Sequence, residues 1–155
     1  MEIESMQKAI NVWEKRRITG KAMPKVQLMQ EVESFLKARC NCALATGFGT
    51  YIRNTPMRYT YKDGKFIFIT EGGYKFKGLS ANPQVCIAVY DTNNVSSDTV
   101  GVTIEGVANV MEMHQENAKP TDPTRYIITV TPTLIDYLDS SLPARGFYSL
   151  QRLTF

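Results

Sequence analysis

The sequence predicts a mainly β fold in which an antiparallel barrel is flanked by helices. Helical spacing of apolar residues is confined almost entirely to the first 39 of the 155 residues. From Asn41 onward apolar and polar residues alternate, and turn residues rather than long helices separate the alternating segments. Strands in that arrangement favour an antiparallel barrel over a doubly wound parallel sheet. We therefore expect one domain over residues 1–155, with a helical lead-in (1–39) and a barrel (40–155).

Two helices are expected in the lead-in. Apolar residues recur from Ile3 to Trp13, and Thr19-Gly20 ends this first helix. Pro24 suits the first turn of the second helix, whose apolar stripe runs from Val26 to about Ala38 at three- and four-residue steps.

The clearest strands are those of a hairpin over Met57–Thr70, because Asp63-Gly64 is a strong two-residue turn signal between alternating segments. An earlier strand covers residues 42–46, and a short helix fits Tyr74–Ala81, ending before Pro83. Four further strands are predicted at Val85–Tyr90, Val100–Met113, Tyr126–Thr131 and Phe147–Leu153. Thr92–Asp98 and Gln115–Pro123 are polar and are predicted as loops.

The two faces of the predicted hairpin differ in character. The core-facing set is Met57, Tyr59, Tyr61, Phe66, Phe68 and Thr70, and the opposite set is Arg58, Thr60, Lys62, Lys65, Ile67 and Ile69. The second face is either an ordinary solvated surface with two exposed isoleucines, or one covered by a flat ligand or a second subunit.

Composition and charge exclude several classes of function. The formal net charge is only +3, without the continuous basic stripe of a nucleic-acid binder, and no apolar run is long enough to cross a membrane. The acidic amino terminus leads into no apolar segment of a secretory signal, so a cytoplasmic location is expected. Three cysteines and one histidine, His114, predict reduced thiols and no metal site, and offer little for acid–base or nucleophilic catalysis.

Positive charge is concentrated in the middle of the chain. Residues 40–90 carry six basic and two acidic side chains, whereas residues 91–155 carry four and eight. Within the basic segment, Gly72-Gly73 precede Tyr74-Lys75 and the short helix, and a helix start beside a lysine favours phosphate. Arg58 on the preceding strand is a candidate for a second, forked phosphate contact.

The order of these pieces resembles the FMN-binding split barrel of the pyridoxamine 5′-phosphate oxidase family. The resemblance covers about residues 26–113, and its motifs are moderately specific in combination. They are Leu36-Lys37-Ala38-Arg39, Cys42-Ala43-Leu44-Ala45-Thr46, Pro56-Met57-Arg58-Tyr59-Thr60-Tyr61, Phe66-Ile67-Phe68-Ile69-Thr70, Lys75-Phe76-Lys77-Gly78-Leu79, Asn82-Pro83-Gln84-Val85 and Gly106-Val107-Ala108.

The resemblance implies an FMN-binding oxidoreductase acting on a small redox substrate, with the flavin at the subunit boundary of a homodimer. Arg58 and Lys75 would meet the FMN phosphate, while Thr60, Ile69 and Thr70 would line the ring. The full set implied for cofactor binding is Arg58, Tyr59, Thr60, Ile69, Thr70, Tyr74, Lys75 and Lys77; catalytic residues are unassigned. A non-enzymatic flavin or haem carrier or sensor on the same barrel is the alternative, and an interaction module that dimerises through Ile67 and Ile69 is a third possibility.

The resemblance does not extend to the family's namesake substrate. Motifs for a substrate phosphate are not recognisable in Phe147–Phe155, and Arg145 and Arg152 are the only late arginines near an expected pocket strand. Pyridoxamine 5′-phosphate is therefore not the expected substrate.

Overall fold

A computed structural model describes residues 3–91, 99–114 and 119–155 of the chain. The predicted loop Thr92–Asp98 and part of Gln115–Pro123 lie outside these residues. Three α-helices, eight strands and one 3₁₀ helix follow one another in the described part of the chain. In order they are α1 (Ile3–Thr19), α2 (Lys25–Lys37), β1 (Asn41–Phe48), β2 (Tyr51–Arg58), β3 (Thr60–Lys62), β4 (Lys65–Thr70), α3 (Lys75–Leu79), β5 (Gln84–Tyr90), β6 (Val100–Met113), β7 (Arg125–Asp139), a 3₁₀ helix (Leu142–Arg145) and β8 (Leu150–Thr154).

All the strands belong to one antiparallel sheet with the order β2-β1-β5-β6-β7-β4-β3, and β8 pairs with β7. The strands β2 and β3 lie at opposite ends of this order, although only Tyr59 separates them in the chain. The sheet therefore curls until its two edges meet at Tyr59, where the peptide chain rather than a strand ladder joins them. The Tyr59 N–H donates to Cys40 O at 2.7 Å. The antiparallel split barrel with two amino-terminal helices is confirmed.

The hairpin around Asp63-Gly64 forms with the predicted faces. Both turn residues have positive φ, 51° and 73°, as a two-residue turn of this kind requires. Of the predicted core-facing side chains on β3 and β4, Tyr61, Phe66 and Phe68 are buried, whereas Thr70 is only partly buried. On the opposite face Ile69 is 58% exposed.

Two strands differ from the prediction. Met57 and Arg58 belong to β2, which pairs with β1 along its whole length rather than with β4. The strand predicted to end at Thr131 continues through Pro132 to Asp139. The strand register shifts between Glu105 and Gly106 of β6, where Thr133 of β7 has no register partner on β6, and this bulge on β7 accommodates the adjacent proline.

The core fills the barrel and extends to α2. Leu28, Val32, Phe35 and Leu36 on one side of α2 are buried, which confirms its apolar stripe. The Tyr59 hydroxyl donates to Leu36 O at 2.9 Å, so α2 is fixed to the position where the sheet edges meet. Its ring packs against Phe66 at 5.2 Å between centroids.

The helix α1 contributes no buried residue to the described structure. The apolar residues that predicted it, Ile3, Met6, Ile10 and Trp13, are all exposed. Its contact with the barrel includes Glu14, which lies 3.9 Å from Arg152. None of the helices described is both long and apolar enough to span a bilayer.

Candidate functional site

The short helix α3 is seated directly on the hairpin of β1 and β2. A Cβ atom at Gly78 would lie 2.8 Å from Gly47 N and 2.9 Å from the Thr46 side chain, so only glycine permits this approach. The close approach places Tyr74 and Lys75 beside the turn end of the β1–β2 hairpin. The Tyr51 hydroxyl donates to Tyr74 O at 2.9 Å and fixes the start of the helix to β2.

Lys75 is the most unusual cation of the described chain because its side chain is almost entirely enclosed, with 5% exposure. Its Nζ donates to Gly72 O. Gly72 and Gly73 have φ values of +114° and +101°, which turn the backbone so that this carbonyl meets the ammonium group. Burial, together with the nearby Arg53 charge, lowers the pKa of Lys75 below its ordinary value.

Two other cations contact the ring of Tyr74, the residue that precedes Lys75. The Arg53 guanidinium lies 5.0 Å from the Tyr74 ring centroid, and Lys77 Nζ lies 5.2 Å from it. The phenol ring therefore holds both cations beside the start of α3 by cation–π contacts, and the Arg53 charge acts on Lys75. We call Arg53, Tyr74, Lys75 and Lys77 the Lys75 cluster.

The positive charge of the Lys75 cluster is not neutralised within the described chain. No carboxylate of the described residues lies within 4.0 Å of Arg53, Lys75 or Lys77, whereas most other arginines have such a partner. The Lys75 ammonium has the Gly72 carbonyl and the Phe76 ring, 5.6 Å from Nζ, as partners, and a buried cation without a counter-charge is unfavourable unless an anion completes its surroundings. The donor set of one guanidinium and two ammonium groups fits a phosphate.

A groove begins next to the Lys75 cluster. It is open to solvent, has a volume of about 620 Å³ and is lined by Ile69, Thr70, Glu71, Gly72, Gly73 and Arg125. A Cβ on Gly73 would lie 3.5 Å from Lys75 Nζ, so the ammonium lies immediately behind the groove wall. Thr70 shapes this wall, because its hydroxyl is within hydrogen-bond distance of Gly72 N (3.3 Å) and Gly72 O (3.2 Å). We call it the Gly72 groove.

An apolar row lies beside the groove on the outer face of the sheet. Ile69 pairs with Ile127, which in turn pairs with Met111 on β6. Met111 is 52% exposed, similar to Ile69. Thr60 pairs with Ile67 on the same face, one step further along the hairpin.

Of the sequence-predicted residues, Tyr74, Lys75 and Lys77 come together in the Lys75 cluster, and Ile69 and Thr70 line the adjoining groove. Tyr59 is instead in the core, 3% exposed, with its hydroxyl bonded to α2. Arg58 is at the opposite end of β2 from the cluster. It pairs with Asn41, whereas Arg53 pairs with Thr46 beneath α3. Five residues of extended strand separate the two arginines by about 16 Å.

The helix start is less open than the sequence suggests. The α3 helix has only five residues, and the N–H groups of Phe76 and Lys77 already donate to Gly73 O (3.0 Å) and Tyr74 O (3.1 Å). Anion binding at this site therefore depends on side-chain cations rather than on those two backbone donors.

Sequence reasoning missed Arg53 and Arg125. Arg53 lies in Tyr51–Arg58, a strand with little burial on either face and hence no alternation to place it. Arg125 is the first residue of β7, whose pairing with β4 brings it to the Gly72 groove. The only signal for Arg53 was its position in the basic middle segment.

The two arginines nearest the carboxyl end of the sequence form ion pairs outside the groove. Arg145 forms an ion pair with Glu31 at 2.5 Å, and Arg152 binds Asp136 at 2.6 and 2.7 Å. Neither lines the Gly72 groove. His114 is exposed just beyond the end of β6.

Two of the three thiols, those of Cys42 and Cys86, are unsuited to nucleophilic chemistry. All three cysteines are free, as expected from the sequence. Burial raises the pKa of Cys42 to about 12 and also raises the pKa of Cys86, so both remain protonated at neutral pH. Groups of three or more potential metal ligands are absent from the residues that the structure describes.

The fold is shared with solved structures of low sequence identity. General Stress Protein 26 from Bacillus anthracis aligns with a TM-score of 0.61 at 16% identity, over 83% of this chain and 98% of that chain. A FAD-binding protein from Mesorhizobium loti gives 0.57 at 16% identity, over 69% and 89%. An F420 reductase gives 0.53 at 20% identity, over 66% and 94%. No curated protein matches the sequence.

The sequence profile of the family described as Pyridoxamine 5′-phosphate oxidase matches residues 28–139. This match includes most of α2, all of β1 to β7 and α3, and therefore both the Lys75 cluster and the Gly72 groove. Since it covers well over half of the chain, the protein belongs to the pyridoxamine 5′-phosphate oxidase family.

Proposed function

We propose that this protein is an FMN-dependent oxidoreductase whose Lys75 cluster binds the FMN phosphate. The observation that carries the proposal is the enclosed Lys75 ammonium, which has a carbonyl partner and no carboxylate among the described residues. Family membership and the flavin- or F420-related names of structural neighbours support a cofactor of this kind. When bound, a flavin supplies hydride and single-electron transfer, so the protein need only bind and orient it.

The charge of the cluster favours FMN over FAD. The terminal phosphate of FMN is a monoester that approaches two negative charges at neutral pH, whereas each phosphate of FAD carries one. Arg53, Lys75 and Lys77 together match a dianion better than a single charge. The phosphate arginine in this proposal is Arg53, because Arg58 lies at the other end of β2.

In this proposal Thr70 and Ile69 border the ring, and the apolar row of Ile69, Ile127 and Met111 offers it a surface. Because the same apolar row is exposed to solvent, we propose that a second copy of the chain packs against it. A two-fold dimer would place two equivalent sites at its boundary. A dimeric mass in light scattering of the FMN-loaded protein is expected; a monomer that retains FMN would contradict this part of the proposal.

Titration of the purified protein with flavins tests the cofactor. We expect yellow protein, or quenching of added FMN fluorescence at one FMN per chain, with weaker binding of FAD and F420. Protein that ignores all three cofactors would refute the proposed function. A sharp absorption band near the blue edge of the visible would instead indicate haem.

Pyridoxamine 5′-phosphate is not the proposed substrate. An enzyme that holds FMN and a phosphorylated substrate together needs a second cationic cluster. Arg145 and Arg152 are engaged by Glu31 and Asp136, which leaves Arg125 as the sole described cation lining the groove. We expect bound flavin to be reduced by dithionite or a nicotinamide donor, with slow or absent turnover of pyridoxamine 5′-phosphate under oxygen. Aldehyde formation at several turnovers per minute would contradict this expectation.

A further inference from the structure

Two different cations lie on opposite sides of the Gly72 groove. On one side the Lys75 ammonium lies behind Gly72 and Gly73. On the other side Arg125 extends from the first position of β7, where it pairs with Met113. Arg125 is therefore outside the Lys75 cluster: it lines the groove of about 620 Å³, whereas Lys75 lies behind the Gly73 part of its wall.

Arg125 is weakly engaged compared with other arginines of the protein. Its only ion pair among the described residues is with Glu71, at 3.9 Å between Nε and Oε1. Both side chains are at least half exposed, 50% and 59%, so the pair contributes little and is easily exchanged for another anion. Arg152, by contrast, makes two short contacts with Asp136 and has no comparable freedom.

We infer that Arg125 binds the anionic group of the redox substrate in the Gly72 groove, and that Glu71 competes for the same guanidinium. The inference rests on the proposed function, because it places the substrate beside the flavin that the Lys75 cluster would hold. A guanidinium presents a planar fork of donors that suits a carboxylate or a phosphate equally well in geometry. The substrate class is therefore a small molecule with one such anionic group.

The charges that line the groove suit a ligand with one anionic group. Glu71 is its single acidic lining residue, and Arg125 is the single arginine or lysine that lines it. An uncharged molecule gains no electrostatic attraction from Arg125, and a molecule with several anionic groups is repelled by the Glu71 carboxylate. Arg125 thus selects for charge, and Glu71 limits how much charge is accepted.

The test uses the FMN-loaded protein and three probes of similar size: benzoate, phenyl phosphate and uncharged benzyl alcohol. Binding is followed by perturbation of the flavin absorption bands and by ligand-observed NMR. We expect one or both anions to bind and benzyl alcohol to bind more weakly. Saturation by benzoate alone would identify a carboxylate substrate, and saturation by phenyl phosphate alone would identify a phosphate ester.

Two variants with opposite expected effects separate recognition from nonspecific attraction. Arg125→Gln should weaken anion binding by about tenfold, the usual scale of one lost charge-assisted contact. Glu71→Gln should strengthen it by about threefold, because it releases Arg125. Arg16→Gln, the same change at an exposed arginine of α1, is the matched control and should change nothing.

The outcomes distinguish this inference from the proposed function. If FMN does not bind, both the proposed function and this inference are refuted. If FMN binds normally but neither anion binds, or Arg125→Gln binds the anions as well as wild type does, the inference alone is overturned. It is also overturned if Arg125→Gln weakens FMN itself, since Arg125 would then belong to the cofactor site.

Discussion

The cations at the start of α3 and those around α2 and β8 differ in whether a carboxylate neutralises them. Around α2 and β8, Arg145 and Arg152 each have a carboxylate within 2.6 Å, and Arg39 bonds to Asp91 at 2.9 Å while its guanidinium carbon lies 3.6 Å from the Phe35 ring centroid. In the Lys75 cluster, Arg53 and Lys77 share the Tyr74 ring, Lys75 is enclosed, and none of the three has a described carboxylate partner. The paired arginines fasten elements together, whereas the unpaired cluster leaves positive charge for a ligand. The predictions below test whether that division is correct.

The largest expected effect is on FMN affinity. Lys75→Ala or Arg53→Ala should weaken FMN binding by about 2–3 kcal/mol, or about 30- to 150-fold, because each removes a charge-assisted contact with the phosphate. Arg58→Ala and the exposed-lysine control Lys65→Ala should change the Kd by less than about threefold. A large loss in Arg58→Ala with none in Arg53→Ala would reverse the assignment of the phosphate arginine.

The pH dependence of FMN binding should follow Lys75. Burial and Arg53 lower the pKa of this ammonium from its ordinary 10.5, so its charge is lost at a lower pH than that of a solvated lysine. FMN affinity should therefore fall as the pH rises through the lowered pKa. In the same interval, between the lowered pKa and 10.5, the free energy of unfolding of the cofactor-free protein should rise, because the unfolded state binds more protons.

Fluorescence titrations of FMN and urea unfolding of the cofactor-free protein across this pH range measure the two trends. The Lys75→Arg variant keeps its charge to higher pH, so its FMN affinity should remain level. An identical decline in Lys75→Arg and wild type would show that another group controls the titration.

Removing the carboxylate partner of a paired arginine should lower stability and leave FMN affinity unchanged. Asp136→Asn removes the carboxylate from the partly buried Arg152 pair, whose side chains are 26% and 20% exposed. We expect the free energy of unfolding to fall by about 1–2 kcal/mol in urea titrations, with FMN affinity unchanged. Glu4→Gln on the exposed part of α1 is the control. Loss of FMN affinity without loss of stability would mean that this pair also serves the site.

The smallest expected effect concerns Thr46, which lies beneath α3 at the edge of the cluster. Its hydroxyl is buried and has no hydrogen-bond partner among the described residues. Thr46→Val keeps the shape and removes this polar atom, so the free energy of unfolding should rise by about 1 kcal/mol. Thr103→Val, at an exposed position of β6, provides the comparison. A decrease in stability would show that the hydroxyl makes a contact in solution.

The sequence predicted the elements whose periodicity is strong. Asp63-Gly64 and the alternation around it placed the β3–β4 hairpin and both of its faces, and the α2 stripe predicted the four residues that α2 buries. The pattern failed in β2, where neither face is deeply buried, so Arg58 was assigned a place that Arg53 occupies beside α3. That place depends on Gly78 meeting Gly47, a contact between residues 31 positions apart that local spacing does not encode. Pro132 similarly concealed the second half of β7, because proline is uncommon within a strand and is tolerated here by the bulge beside it at Thr133.

The meeting of the sheet edges at Tyr59 also constrains the order in which the chain folds during synthesis. Tyr59 joins β2 to β3, yet β3 and β4 reach the rest of the sheet only through β7, which begins at Arg125. A nascent chain that ends before Arg125 can form the two early hairpins but has no strand to connect them. The barrel therefore closes only after β7 has left the ribosome, and the edges of β4 and β6 with which β7 pairs remain unpaired until then.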